Sequence, residues 1–390
     1  MRILYHHRTQ ASDAQGIHIR EIIASFRRAG HEVLEVALVR SDHTPAGRQE
    51  GAPSVFSRLK GHLPDLFREF AELGYNLIGT FKLLAAARRF KPDFIYERYA
   101  LFNCSGVLVA HLLGMPLILE VNSPLAKEQA ALGAQSLGSL ARWFECWICN
   151  HAAVVIVVST PLREILVDAG VQVDRIVVMN NGVDTERFHG RRASGDVVRE
   201  RYGLMGQRVV GFVGWIREWH GIEDLVRGMP HWPEALADVH LLVIGDGPAR
   251  VDIEAAADQC GVRDRVHVTG AVAHAQIVEH LAAIDVALQP AATAYASPMK
   301  IFEYLAMAKP VVSVDQENTR EILEEGTNAL FFPPGDRPAF VAAVQEVLSD
   351  QQRLESMSVA ARAAVFDRGY LWDSNARKVI ELAKQELAKA

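Results

Sequence analysis

Ala152-Ala153-Val154-Val155-Ile156-Val157-Val158-Ser159 is apolar without a break until its final serine. A strand with one wet face alternates apolar and polar residues. A strand buried on both faces does not, and such strands belong to parallel sheets covered by helices. His240-Leu241-Leu242-Val243-Ile244-Gly245 has the same character. Working outward, short β-branched runs alternate with longer helical patterns. The first half offers strands at Arg2–His6, His31–Val39, Asp93–Tyr99, Pro116–Val121, Ala153–Ser159 and Ile176–Asn180. The second offers Val209–Gly214, Val239–Gly245, Val266–Thr269, Asp285–Pro290, Pro310–Val314 and Ala329–Phe332. Two successive β-α series predict an α/β chain of two doubly wound parallel-sheet domains.

The chain has 390 residues, 49% hydrophobic and 23% charged, enough for two sizeable cores. Four cysteines cannot staple a fold of this size and fit a reducing compartment. A net charge of −6 argues against dedicated nucleic-acid binding. The apolar runs are far shorter than the ~20 residues of a membrane helix, and no secretory signal is read at Met1. The expected location is cytoplasmic, with peripheral attachment to an inner membrane as the other reading. Asn181-Gly182 followed by a polar, Arg-rich segment marks a boundary, with the hinge at 182–196. The expected domains are residues 1–185 and 186–369, with a last helix, 370–390, packing back on the first. Leu59–Phe90 is a long helical region, broken at Gly74, carrying Lys60, Arg68, Lys82, Arg88 and Arg89. It reads either as a membrane-surface face for a lipid-linked acceptor or as ordinary surface helices with a core stripe.

Ser297-Pro298-Met299-Lys300-Ile301-Phe302-Glu303-Tyr304 follows a strand and a small-residue loop. Ser297 suits an N-cap and Pro298 the first helical position. The helix N-terminus so formed lies at the carboxyl end of a parallel strand and would attract an anion. Lys300 adds a charge there, and Glu303 one turn on could accept hydrogen bonds from a ribose diol. The plainer alternative is a capped amphipathic helix with solvated charges. Gly214-Trp215-Ile216-Arg217-Glu218-Trp219-His220-Gly221 ends another strand, so Arg217 and His220 could meet a phosphate. Gly245-Asp246-Gly247 allows a close backbone approach to a ligand, although a tight turn is the more frequent explanation of such a pair. Gly16 opens the first helix, but the G-x-G-x-x-G of a dinucleotide site is absent. Glu120 and Asn122 end an apolar strand and should face a binding site, whereas Glu97–Arg98 reads as a structural ion pair. Cys146-x-x-Cys149 lies in a helical pattern and reads as two buried helix residues.

In order, Gly16, Gly30-His31-Glu32-Val33, Asn181-Gly182-Val183-Asp184, Gly214 to Gly221, Gly245-Asp246-Gly247-Pro248 and Ser297 to Ala306 resemble the retaining glycosyltransferases of family four. The resemblance covers nearly the whole chain and implies a GT-B fold, two Rossmann-like domains facing a cleft. It implies acceptor binding in the first domain and a nucleotide-diphosphate sugar, most often a UDP-sugar, in the second. It implies Glu303 on the ribose, Ser297, Pro298, Met299 and Lys300 at the diphosphate, and Gly16 and Gly245 near the donor. The family's basic pair is usually Arg and Lys. Trp215 and His220 stand at the nearest positions here, and Arg217 is the candidate replacement.

The usual first glutamate, eight positions before Glu303, is Tyr295, so the contacts to the donor sugar differ. The family's first-domain histidine has no counterpart beside Glu120. The resemblance leaves Arg217, Lys300 and Glu120 as catalytic candidates, with Glu120 and Asn122 placing the acceptor. The acceptor expected is a polysaccharide, lipid-linked or exopolysaccharide precursor. No Asp-x-Asp motif occupies a suitable loop, so a metal-independent reaction is expected. Another GT-B enzyme, such as a nucleotide-sugar epimerase, and an inactive nucleotide-sugar binder are the alternatives.

Overall fold

The computed structural model describes residues 1–9, 14–37, 65–131, 138–189 and 193–389. The chain divides into two compact units, Met1–Asn180 with Trp372–Ala390, and Asn181–Leu371.

In the first unit, β1 (Arg2–His7), β2 (Glu32–Ala37), β3 (Phe94–Arg98), β4 (Leu117–Val121), β5 (Val154–Val157) and β6 (Ile176–Val178) form a parallel sheet in the order β2-β1-β3-β4-β5-β6. The central strands β3, β4 and β5 are buried at every position; β5 is apolar throughout, whereas β3 and β4 bury Glu97, Arg98 and Glu120 near their carboxyl ends. They are flanked by α1 (Ala14–Arg28), α2 (Asp65–Phe90), α3 (Ser105–Leu113), α4 (Leu125–Ala131), α5 (Gly138–His151) and α6 (Thr160–Asp168). Local chemistry sets the ends: Ser159 Oγ accepts the Leu162 N–H to start α6, and Gly114 at φ 62° stops α3.

In the second unit, β7 (Arg208–Val213), β8 (Val239–Ile244), β9 (Val266–Val268), β10 (Val286–Gln289), β11 (Val311–Val314) and β12 (Ala329–Phe332) form a parallel sheet ordered β12-β11-β10-β7-β8-β9. Its helices are α7 (Asp196–Arg201), α8 (Ile222–Gly228), α9 (Arg250–Gln259), α10 (Ile277–Ala283), α11 (Met299–Ala306), α12 (Glu317–Arg320), α13 (Arg337–Ser349) and α14 (Gln351–Asp367). The chain then returns to the first unit as α15 (Trp372–Lys389), whose Trp372 ring meets His18 on α1 edge-on at 4.8 Å. Each sheet therefore has one point where the winding reverses, between β1 and β3 and between β7 and β10. Open α/β sheets bind ligands at the carboxyl ends of the strands flanking that point.

Several expectations need correction. α2 runs through Gly74 without a break; Leu59–Pro64 lie outside the described residues. Cys149 is buried, but Cys146 is only partly so. Glu97 and Arg98 do not pair with each other, because neighbours on a strand point to opposite faces. Glu97 meets His6, and Arg98 meets Glu120.

Candidate functional site

In the second unit the reversal point is built from the ends of β7, β8 and β10. Gly214 follows β7 at φ 136°, and Lys300 Nζ lies 3.3 Å from where a Cβ would sit. The missing side chain leaves room for the ammonium, which also lies 4.2 Å from the Phe212 ring centroid. Burial pulls the Lys300 pKa down to about 8, with Glu303 opposing the shift. Gly245 and Gly247 serve a different purpose from the one expected. A Cβ at Gly245 would overlap the Gly214 carbonyl, and one at Gly247 the Ile216 backbone. The close approach is thus loop to loop. Gly214 N–H reaches Ile244 O at 3.0 Å and Ile216 N–H reaches Asp246 O at 2.8 Å, which fixes the floor on which Lys300 rests.

α11 is held by Tyr304. Its hydroxyl accepts the Val213 N–H at 2.9 Å and donates to Leu288 O at 3.4 Å, tying the helix to β7 and β10. The expected Ser297 cap is not made. The helix begins one residue later, at Met299, with Pro298 at the cap position and no side-chain cap. Ser297 Oγ instead accepts the Asn181 N–H at 3.1 Å, and Asn181 Nδ2 donates to Ser297 O at 2.7 Å. The helix N-terminus is therefore left open to an anion, with Lys300 in its first turn and half-buried Glu303 one turn on. Tyr295 sits half-buried in the preceding loop, where Asn318 Nδ2 fixes Thr293 O and Ala296 O at 3.0 and 2.7 Å.

Arg217 is exposed, but His220 is buried. His220 Nδ1 accepts the Arg217 N–H at 3.0 Å, and the ring packs between Phe212 and Trp219. Burial, then the charges of Lys300 and Arg217, push its pKa down to about 3. His220 is thus a neutral donor through Nε2–H, and the positive charge near this loop comes from Lys300, Arg217 and Arg337, whose Nη2 donates to Trp219 O at 3.4 Å. Among the described residues no group of three or more His, Cys, Asp or Glu side chains is arranged to hold a metal ion.

In the first unit Glu120 lies at the end of β4 and is buried. Its carboxylate accepts Tyr96 OH at 2.6 Å, Arg98 Nη1 at 2.8 Å and the Asn122 amide, with His18 Nδ1 3.5 Å away. Burial alone would raise the Glu120 pKa, but His18 and Arg98, with the Tyr96 and Asn122 hydrogen bonds, outweigh it and hold it below the usual range. Gly16 is buried in the first turn of α1, just after residues that lie outside the described set.

Residues 15–187 match the family "Glycosyltransferase Family 4" and residues 207–350 match "Glycosyl transferases group 1". The chain belongs to glycosyltransferase family four. The alpha-D-kanosaminyltransferase of Streptomyces kanamyceticus is 28% identical to this family-four chain over 261 residues, 64% of this chain and 66% of that protein. The GDP-mannose-dependent alpha-mannosyltransferase of Mycobacterium tuberculosis is 26% identical over 355 residues, covering 90% of this chain and 87% of that one. The solved structure of Anabaena HepE in complex with UDP superposes with a TM-score of 0.73 at 16% identity, covering 99% of this chain and 100% of the other. The two six-stranded parallel sheets with helices are those of the GT-B fold.

Sequence reasoning missed Asn181 and Tyr304, which hold the loop and helix from Ser297 to Ala306, and His18, which joins Arg98 and Glu120 from α1. Polar residues closing apolar strands were the available signal for the Glu120 group, but the partner from α1 has no spacing that points to it.

Proposed function

We propose that this chain transfers a sugar from a nucleoside-diphosphate sugar to a hydroxyl acceptor with retention of anomeric configuration. The observation that carries the reading is the uncapped start of α11, with Lys300 seated against Gly214 and Glu303 one turn further on. The helix N–H groups and Lys300 suit the diphosphate, with Ser297, Pro298 and Met299 lining its approach, and Glu303 suits the ribose hydroxyls. Arg217 supplies a second charge and His220 Nε2–H a neutral donor. Tyr295 takes the sugar-side position left by the usual glutamate. As the anomeric C–O bond breaks, its electron pair passes to the diphosphate oxygen, where Lys300 and the helix end stabilise it. The acceptor oxygen bonds to the same carbon, and its proton goes to the departing phosphate. No metal is needed for charge neutralisation in this scheme. The UDP in the HepE structure favours a UDP-sugar, and the GDP-mannose named for the mycobacterial relative is the alternative.

Acceptor binding falls to the first unit, Met1–Asn180 with the terminal helix, and donor binding to the second, Asn181–Leu371. Glu120 is read as an anchoring residue that holds Asn122 toward the acceptor, since its acceptor sites are already occupied. No described helix is long and apolar enough to cross a membrane. α2 nevertheless exposes Leu77, Ile78 and Phe81 beside Lys82, which suits peripheral contact for a lipid-linked acceptor. The test is a thermal-shift screen of nucleotide sugars, because tight donor binding raises the melting temperature by mass action. Stabilisation by one of them, acceptor-dependent release of nucleoside diphosphate and an axial-to-axial product by NMR are expected. Donor binding without acceptor-dependent release favours an inactive binder.

A further inference from the structure

We propose that Arg337 is a positioning residue for donor binding: from the start of α13 it clamps the corner Trp219–Gly221 and so aims His220 at the diphosphate. The inference rests on the donor reading of Lys300 and Glu303. The loop after β7 is tied down in two halves. Its near half is fixed by the hydrogen bonds of Gly214 to Ile244 and of Ile216 to Asp246. From Arg217 onward the bonds are short-range. His220 N–H reaches Arg217 O and Gly221 N–H reaches Glu218 O, both at 3.0 Å, and the Arg217 N–H returns to His220 Nδ1. A single turn closed on itself has little stability of its own. Arg337 adds a tie from another element. Its Nη2 donates to Trp219 O at 3.4 Å, and its Nε lies 3.4 Å from Asp224 Oδ2 in the first turn of α8.

Gly221 makes room for this clamp. It ends the turn at φ 62°, and a Cβ there would overlap Arg337 Nη1. Glycine is therefore required twice, for the left-handed backbone and for the guanidinium. Arg337 itself stands on a fixed element. It is the first residue of α13, where Asp336 Oδ1 accepts the Ala339 N–H at 2.9 Å, and α13 packs against α8. All three guanidinium nitrogens face the chain, Nη1 at Gly221, Nη2 at Trp219 O and Nε at Asp224. The group thus acts on a donor through the loop. The residue between its two loop contacts is His220, whose ring packs between Trp219 and Phe212, and Phe212 is also the ring against Lys300. Its charge joins those of Lys300 and Arg217 in keeping the imidazole neutral. A planar fork meets a carbonyl, a carboxylate and a glycine backbone together, whereas a lysine ammonium is a point charge.

The experiment measures the affinity of the full chain for UDP, GDP, ADP and dTDP by calorimetry, for the wild type, Arg337→Met and Arg337→Lys, and for Arg337→Met combined with His220→Asn. Both single variants should weaken binding of the preferred nucleotide about tenfold, the scale of one hydrogen bond to a charged group, because lysine restores the charge and not the fork. In the His220→Asn background Arg337→Met should add less than about twofold, since the residue through which it acts is already gone. A merely structural role would lower the melting temperature without that coupling. Asp224→Asn removes the carboxylate beside Nε and leaves Arg337 in place. It should weaken binding in the same direction, and it decides the matter if the Arg337 variants fold poorly. The proposal is overturned if Arg337→Met binds within about twofold of wild type. It is overturned equally if Arg337→Lys restores wild-type affinity, which would make Arg337 a distant charge. An undiminished loss in the His220→Asn background would make it a direct donor contact and also overturns the proposal. A wild type that binds none of these nucleotides counts against the donor reading itself, and the proposal falls with it.

Discussion

Replacing Lys300 by methionine tests the electrostatic core of the proposed reaction. The ammonium sits on the Phe212 ring at 4.2 Å and in the space left by Gly214, so its position is set by packing. A unit charge about 4 Å from a departing phosphate oxygen is worth roughly 4 kcal/mol at an effective dielectric of about 20. Part of that is already felt by the bound donor, which is anionic before the bond breaks. Loss of a comparable preorganised donor costs about 100-fold to 1,000-fold in turnover. The expected result is a fall in kcat of about 100-fold with donor affinity weakened about tenfold or less, measured by acceptor-dependent nucleotide release and calorimetry. The pH profile supplies a second reading. With its pKa at about 8, Lys300 loses its charge as pH rises through that value, so wild-type turnover should decline above pH 8. Lys300→Arg should remove that decline, because arginine stays charged. The unfolded chain's lysine titrates near 10.4, so between the two values the unfolded state binds the extra proton. Stability should therefore rise with pH across that window, and Lys300→Met should flatten the rise. Turnover of Lys300→Met within threefold of wild type would refute the assignment.

Glu303→Ala should weaken nucleotide binding about 10- to 100-fold by calorimetry, as expected for losing charge-assisted hydrogen bonds worth about 1.5–3 kcal/mol; unchanged affinity removes the ribose role. His220, with its folded pKa near 3, leaves the unfolded state holding the extra proton from about pH 6.5 downward, so stability falls as pH drops through that window. His220→Asn keeps an acceptor for Arg217 N–H and should shrink the acid loss of the urea midpoint; an identical acid dependence would show that His220 is not its source. Gly245→Ala must place a side chain onto the Gly214 carbonyl at φ 147°, so a loss of at least about 1–3 kcal/mol is expected in denaturant melts. A wild-type midpoint would mean that the two loops are not packed as described.

The sheets were legible because unbroken apolar runs such as Val154–Val157 and Leu241–Ile244 have one common explanation, burial on both faces. The start of α11 was legible to within one residue because a proline near the helix start is a local feature. What sequence could not give was competition between partners. Ser297 is a good cap by residue type, yet its hydroxyl goes to Asn181, 116 positions earlier. Glu97 and Arg98 looked like a pair because they are adjacent, but the strand pleat sends them to opposite faces and to His6 and Glu120. His220 read as a phosphate contact beside Arg217; that its ring is buried against Phe212 and neutral depends on packing that its own loop does not show.

α15 has a consequence for how the chain is made. During synthesis β1 to β6 leave the ribosome first, yet the side of α1 that carries His18 stays uncovered until Trp372 arrives. The second unit, continuous from Asn181 to Leu371, has its whole sequence available earlier. The usual amino-to-carboxyl order of completion is then reversed: the later-encoded unit can close while the earlier one waits for its last helix. A nascent chain stalled before that helix would expose an apolar stripe on α1 to chaperones and proteases, so shortening from this end should harm the first unit and spare the second.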